Sequence, residues 1–436
     1  MNSIATPRRT ERGRAGAALS GARLATGLAT VVFVMLLVTF KPLDPGTGPQ
    51  DGGGDIVNQL GYGSLGALAI LCLALFAEPR RLVALASPWW ALLLGFFALS
   101  VLRAADPGAA ARAASFSIII ILGLAAALAL PRSFDGLSTM IKTAAAIILV
   151  LSYAGLVLMP EAAIHGSGGY EAQHAGFWRG IYSHKNIAGP VMACLAFAGL
   201  WLWRRGERKA GAAIFLAAMV FVMNTGSKTT AGLVPAAMLL VMLPNLVGMR
   251  RAVVLAYAVS IVTFGLATLG IVYIDALKDL AAELAPDLTY TGRTTLWAFG
   301  GEMIMKKPWT GYGYVSFWGT DFIANQDLHF DADWDFRGIV HGHNGYMDTA
   351  IAMGLPALAA AVIVFNIAPL FDYMRVPRLK DSVFFADFLM MVLLFTTLNA
   401  FVETFFFHRA DPVWVMLVFA TLGLRMISRV TLPSHG

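Results

Sequence analysis

Apolar residues run along this chain in long unbroken stretches rather than in alternation with polar ones. Twelve such stretches stand out, at 23–40, 60–77, 83–102, 112–130, 140–159, 187–203, 210–225, 230–247, 252–274, 346–370, 383–402 and 413–428. A helix rising 1.5 Å per residue needs about 20 residues to cross a hydrocarbon core of about 30 Å, and these runs supply that length repeatedly. A membrane strand would alternate, and lipid admits only helices or closed barrels. The pattern therefore predicts an all-α polytopic membrane protein with about 12 transmembrane helices. The first run has no small-residue cleavage site after it, so it is expected to be a retained helix. Most connections are short. The exception, about 275–345, is longer than an ordinary connection and so marks a functional segment. The chain shows no soluble domain, low-complexity tract or internal repeat. The expected organisation is a basic arm, 1–22, followed by one transmembrane domain, 23–436.

Composition sharpens this reading. Hydrophobic residues make up 58% of the 436 positions and charged residues only 13%, against roughly 25% charged in a soluble domain. Cys72 and Cys194 both fall in apolar runs, which excludes a disulfide framework or a thiolate metal site. A net charge of +6 could suggest nucleic acid, but its distribution explains it otherwise. Arg8, Arg9, Arg12 and Arg14 lie in the arm, with Arg23 at its junction with the first run. Arg80/Arg81, Arg204/Arg205/Arg208/Lys209, Arg250/Arg251 and Arg375/Arg378/Lys380 lie in every second connection. The positive-inside rule then makes both termini cytoplasmic and puts the large loop, between helices 9 and 10, outside.

The outer face collects the chemistry. His165, His174, His184, His329, His341, His343 and His408, with most of the acidic residues, fall on it. The loop PLDPGTGPQDGGGD (42–55) reads as a solvated, turn-rich connection.

Four external stretches place polar groups beside membrane helices. HAGFWRGIYSHKNIAG carries Arg179, His184, Lys185 and Asn186. NTGSKTTAG sets Lys228 between two apolar runs, where it either snorkels to the headgroups or takes an anionic partner. A phosphate would suit it together with the Ser227 and Thr229 hydroxyls. TGRTTLWAFGGEMIMKKPWTGYGYVSFWG predicts a short helix from Arg293 to Met305, ended by Pro308, with Arg293 and Trp297 on one face. Its rings, Trp297, Trp309, Tyr312, Tyr314, Phe317 and Trp318, predict a segment lying in the headgroup region. Finally, FRGIVHGHNGYMDTAIAMG holds His341, His343, Asn344 and Asp348 at the mouth of an apolar run. A lone His-x-His lacks a third ligand of known spacing, so no metal site is expected. If a helix opens here, Asn344 caps it and shares a face with Asp348. His343 is then either a solvated residue or a base. No run carries the buried charges of a proton-coupled transporter, since Arg112, Lys142 and Asp387 lie near run ends.

In their order, these stretches resemble the O-antigen ligase and Wzy-type polysaccharide polymerase superfamily. The shared elements are Arg293 and Trp297, the turn Pro308–Gly311–Gly313, and the pair His343–Asn344 opening a helix. YSHKNIAG and GSKTTAG look more like its exopolysaccharide polymerase (ExoQ-like) branch. The resemblance implies an inverting glycosyltransferase on the periplasmic side of the bacterial inner membrane, without metal, cofactor or nucleotide sugar. It would polymerise undecaprenyl-diphosphate-linked repeats. A ligase moving glycan to lipid A core and a non-catalytic transporter of the same lipid-linked oligosaccharide are the alternatives. The resemblance makes His343 the base, with Asn344 and Asp348 orienting it. Arg293, Lys228, Lys185 and Arg179 become candidates for the diphosphate, with Ser227, Trp297, Glu302 and Glu403 behind them. The implied partners are donor, glycan acceptor and bilayer, with a chain-length regulator and export proteins, and no nucleic acid.

Overall fold

A computed structural model describes residues 8–44, 55–168, 172–284, 290, 292–326 and 335–435, with side chains from Ser20 onward. His329, most of the 42–55 loop and the side chains at the head of the basic arm lie outside the described residues. Regular structure among the described residues is helical, apart from a single bridge between Ile164 and Trp178.

Among the described residues, nine helices are long and apolar enough to cross a bilayer: Ser20–Val38, Ile56–Phe76, Pro107–Ala129, Phe134–Leu158, Lys185–Arg205, Lys228–Leu246, Arg250–Tyr273, Leu355–Arg375 and Lys380–Asn399. Pro79–Leu85 and Pro88–Leu102 meet at 65° and make a tenth if they form one broken span. Arg208–Asn224 and Pro412–Ile427 have only 17 and 16 residues. Among the described residues, length and composition thus support nine or ten spans, against the twelve expected. Leu102, Val157, Leu158 and Leu246 turn outward from their helices, the exposure a lipid-facing surface requires.

Lys185–Arg205, Lys380–Asn399 and Pro412–Ile427 form the enclosed centre of the bundle, nearly every residue of the last two being buried. Lipid tails are as apolar as leucine, so close packing rather than water exclusion must hold these helices together. Gly199 lies against the backbone of Gly211 and Phe215 on Arg208–Asn224, an approach that leaves no room for a Cβ. Trp201 stacks on Phe388 with ring centroids 5.6 Å apart.

The two ends of the bundle differ. At one end Arg204 pairs with Asp387 at 2.7 Å, Arg205 with Asp135 at 2.8 Å, and Arg429 with Asp372 at 2.8 Å. Asp387, near a run end in the sequence, is fully buried, and Asn245 and the Tyr373 hydroxyl also donate to it. A carboxylate removed from water needs this degree of compensation. At the other end lie the first turns of Lys185–Arg205, Lys228–Leu246, Arg293–Lys306 and Gly345–Met353, and the 400–411 loop.

The expected span 346–370 is broken. Gly345–Met353 ends at Gly354, whose φ of +87° only glycine adopts readily, and Leu355–Arg375 continues from there. The turn after Pro308 fills the break. Tyr312 N–H donates to the Ile351 carbonyl at 2.8 Å, Gly313 N–H to Ala352 at 3.0 Å, and Leu355 N–H to Pro308 at 2.7 Å. Most rings of the aromatic segment pack into the protein rather than standing free on its surface. Trp297, Phe299, Phe317 and Phe336 form a second core with Met347 and Ile351, and of the expected belt Trp309 is the most exposed, at 74%. The rings bury one another because the turn ties the segment back onto Gly345–Met353.

Candidate active site

Residues from three segments converge on Glu403. This carboxylate lies in the connection after Lys380–Asn399. Arg293, the first residue of its helix, donates from Nη2 to Oε1 at 2.8 Å. Asn186, in the first turn of Lys185–Arg205, donates from Nδ2 to the same oxygen at 2.8 Å. His343 places Nδ1 3.3 Å from Oε2. Burial would raise the Glu403 pKa, but the hydrogen bond with His343 and the nearby charge of Arg293 outweigh it and hold the group down at about 2. Glu403 is therefore an anion at any physiological pH.

His343 sits in a strained backbone position, with φ at +51°. A non-glycine residue in the left-handed region costs about 1 kcal/mol or more, so the surroundings must impose it. They do so through Gly342. Its N–H donates to Asp348 Oδ2 at 2.9 Å, and its carbonyl accepts from Trp297 Nε1 at 3.0 Å. Asp348 also accepts from Trp318 Nε1 at 2.7 Å and from the Thr404 hydroxyl at 2.6 Å. Thr404 in turn accepts from Asn344 N–H at 3.0 Å. Asn344 caps Gly345–Met353 by accepting from Met347 N–H at 2.9 Å, while its Nδ2 donates to the Phe401 carbonyl at 2.9 Å. Asn344 and Trp297 are fully buried. Asn344, Asp348 and Trp297 thus act on backbone and fix where His343 points; their hydrogen bonds are taken up inside the protein.

The expected cations fall into three situations. Arg293 is at the centre, 20% exposed, with Nη2 also 3.3 Å from His343 Nδ1. Lys228 opens its helix, is exposed, and has no hydrogen bond or ion pair from its side chain to the described residues. A cation at a helix N-terminus opposes the dipole there, an arrangement an incoming anion would relieve. Ser227 caps the helix through Thr230, and Gly189 of Lys185–Arg205 lies against both side chains, which sets Lys228 beside the helix that carries Asn186. Lys185 is buried, with Nζ 4.3 Å from the centre of the Phe177 ring, and that ring abuts Gly226. Arg179 is engaged with backbone: its guanidinium donates to the carbonyls of Glu161, Ala162 and Ser183 at 3.0–3.3 Å, so it ties residues 161–162 to Ser183. Glu302 is exposed, nine residues along its helix from Arg293 and about 13 Å away by helical rise.

Histidines flank the site. The rings of His165, His174 and His184 stand 5.0–5.7 Å apart, and His184 Nδ1 caps Lys185–Arg205 by accepting from Asn186 N–H at 3.1 Å. Burial lowers the His184 pKa to about 4. The His341 ring lies 4.2 Å from that of His343, and burial, reinforced by that neighbour, lowers its pKa to about 3. Thr404 escaped the sequence reading, and Asn186 was singled out there without a role. Asn186 stood in a conspicuous motif, but nothing pointed from it to a residue 217 positions away.

Residues 182–362 match the family model described as O-antigen ligase. The exopolysaccharide production protein ExoQ of Rhizobium meliloti (strain 1021) is 28% identical over 194 residues, which cover 42% of this chain and 42% of that protein. The match therefore spans less than half of the curated relative. The family-model match, residues 182–362, contains His343, Asn344, Asp348, Arg293 and Lys228 and leaves Glu403 outside. Over residues 182–362 and in its helical architecture, the chain is thus similar to the O-antigen ligase family of membrane proteins, with ExoQ among its relatives.

Proposed function

We propose that the protein is an inverting glycosyltransferase of the bacterial inner membrane. It joins undecaprenyl-diphosphate-linked repeat units into exopolysaccharide at the periplasmic end of the bundle. The observation that carries this reading is His343 Nδ1 beside a Glu403 that stays ionised, within reach of Arg293. When Nδ1–H donates to Glu403, Nε2 keeps its lone pair and faces away from the carboxylate as a base. Nε2 takes the proton of an acceptor sugar hydroxyl while that oxygen attacks the anomeric carbon of the donor. The bond from that carbon to the diphosphate oxygen breaks, and its electron pair leaves with the lipid diphosphate. A single displacement inverts the anomeric centre. The leaving group is good and already anionic, so it needs cations more than an acid. Lys228 supplies a point charge at a helix N-terminus and Arg293 a planar fork.

Reconstitution with native lipid-linked repeats, with and without a lipopolysaccharide acceptor, tests the proposal. A ladder of longer lipid-linked glycans without that acceptor is the expected result. Label appearing on lipid A core alone would make the protein a ligase. No transfer to either, with repeats merely crossing the bilayer, would make it a transporter.

A further inference from the structure

Arg293 is turned onto the base. Its Nη2 stands 2.8 Å from Glu403 Oε1 and 3.3 Å from His343 Nδ1. That same Nδ1 is 3.3 Å from Glu403 Oε2. A ring nitrogen of neutral imidazole either carries the proton and donates, or is bare and accepts. Arg293 can only donate and the Glu403 carboxylate can only accept, so the two neighbours demand opposite tautomers. If Nδ1 is bare, the one ring proton sits on Nε2, which then has no lone pair for an acceptor hydroxyl. If Nδ1 carries it, Nε2 is basic. The guanidinium also lies against Oε1 and offsets the negative charge that would draw the proton to Nδ1. Asn186 holds that oxygen as well, at 2.8 Å, so Glu403 keeps a neutral partner if Arg293 leaves.

We propose that Arg293 is a positioning residue for His343, holding it in the inert tautomer until a lipid diphosphate claims the guanidinium and so arms the base. The inference rests on the reading that Arg293 and Lys228 bind a diphosphate. The change moves one proton from Nε2 to Nδ1 of the same ring by exchange with solvent; no other bond is made or broken. His343 is 24% exposed, which gives solvent the access this needs. The base is then active only when a leaving group is seated, which imposes donor before acceptor.

The test uses the full chain in lipid nanodiscs with isotopically labelled histidine ring nitrogens, in mildly alkaline buffer. The probe is farnesyl diphosphate, with farnesol as control, and His343 is assigned by its absence in His343→Gln. Protonated and bare ring nitrogens resonate well apart. The expected spectrum has Nε2 protonated before the probe and Nδ1 protonated after it, with no change on farnesol. Arg293→Met should show Nδ1 protonated without any probe, an effect a purely structural arginine would not have. Saturable probe binding that Lys228→Ala weakens, with an unchanged His343 tautomer, overturns the inference and leaves the diphosphate reading standing. No binding of the probe overturns both. The wild-type titration decides the matter even if the variant does not fold.

Discussion

At the scale of single residues, His343 is defined by what restrains it. Asp348 accepts three donors, from Trp318, Gly342 and Thr404. Asp348→Ala would leave buried donors unpaired and release the strained turn, at a cost of about 3–5 kcal/mol. A clear drop in melting temperature in detergent, with loss of transfer, is expected; an unchanged melting temperature would contradict the clamp. Lys228 lies at the opposite extreme, exposed and without a partner for its side chain among the described residues. Lys228→Ala should lower transfer about 10²-fold while barely moving the melting temperature, and Lys228→Arg should recover most of it. Equal activity in the two variants would reduce Lys228 to a headgroup contact. The histidines give a pH prediction. His184 and His341 have folded-state pKa values near 4 and 3, below the ordinary 6.5, so the unfolded chain binds their protons first. Their contribution is intact above about pH 6.5 and is lost as pH falls, by about 2 kcal/mol each near pH 5. Thermal unfolding at neutral pH and near pH 5 checks this; equal melting temperatures would count against both burials. Glu403, already ionised down to about 2, adds no loss in that window.

At the scale of elements, the long apolar helices and the start of the Arg293–Lys306 helix were legible in the chain, because each depends on neighbours in sequence. So was the Asn344 cap, three residues ahead of its partner Met347. What pairs across the fold was not legible. Arg293 and Glu403 are 110 positions apart, and only packing reveals that they meet. The break at Gly354 was hidden for a related reason. Its apolar flanks read as one run, while the turn after Pro308 that fills the gap comes from a different stretch. Gly354→Ala tests that turn, since a Cβ there would collide with the Trp309 backbone at a φ that L-residues avoid. Loss of activity with a destabilisation of about 2 kcal/mol or more is expected in a thermal melt.

At the scale of the whole molecule, the Arg204–Asp387, Arg205–Asp135 and Arg429–Asp372 pairs lie at one end of the bundle and the Glu403 site at the other. The charge pattern of the sequence predicts an orientation with the site outside. Both native cysteines are buried, so single introduced cysteines can report sidedness. Asp321→Cys should react with a membrane-impermeant maleimide in intact spheroplasts, and Lys209→Cys only after lysis. The reverse would turn the molecule over. The central claim is that His343, held by Glu403, takes the acceptor proton during glycosyl transfer. Its most direct test is the elongation rate of lipid-linked repeats by purified His343→Ala and Glu403→Gln in liposomes. Both should fall by about 10²–10⁴-fold with donor binding retained. Elongation by His343→Ala near the wild-type rate would contradict the account.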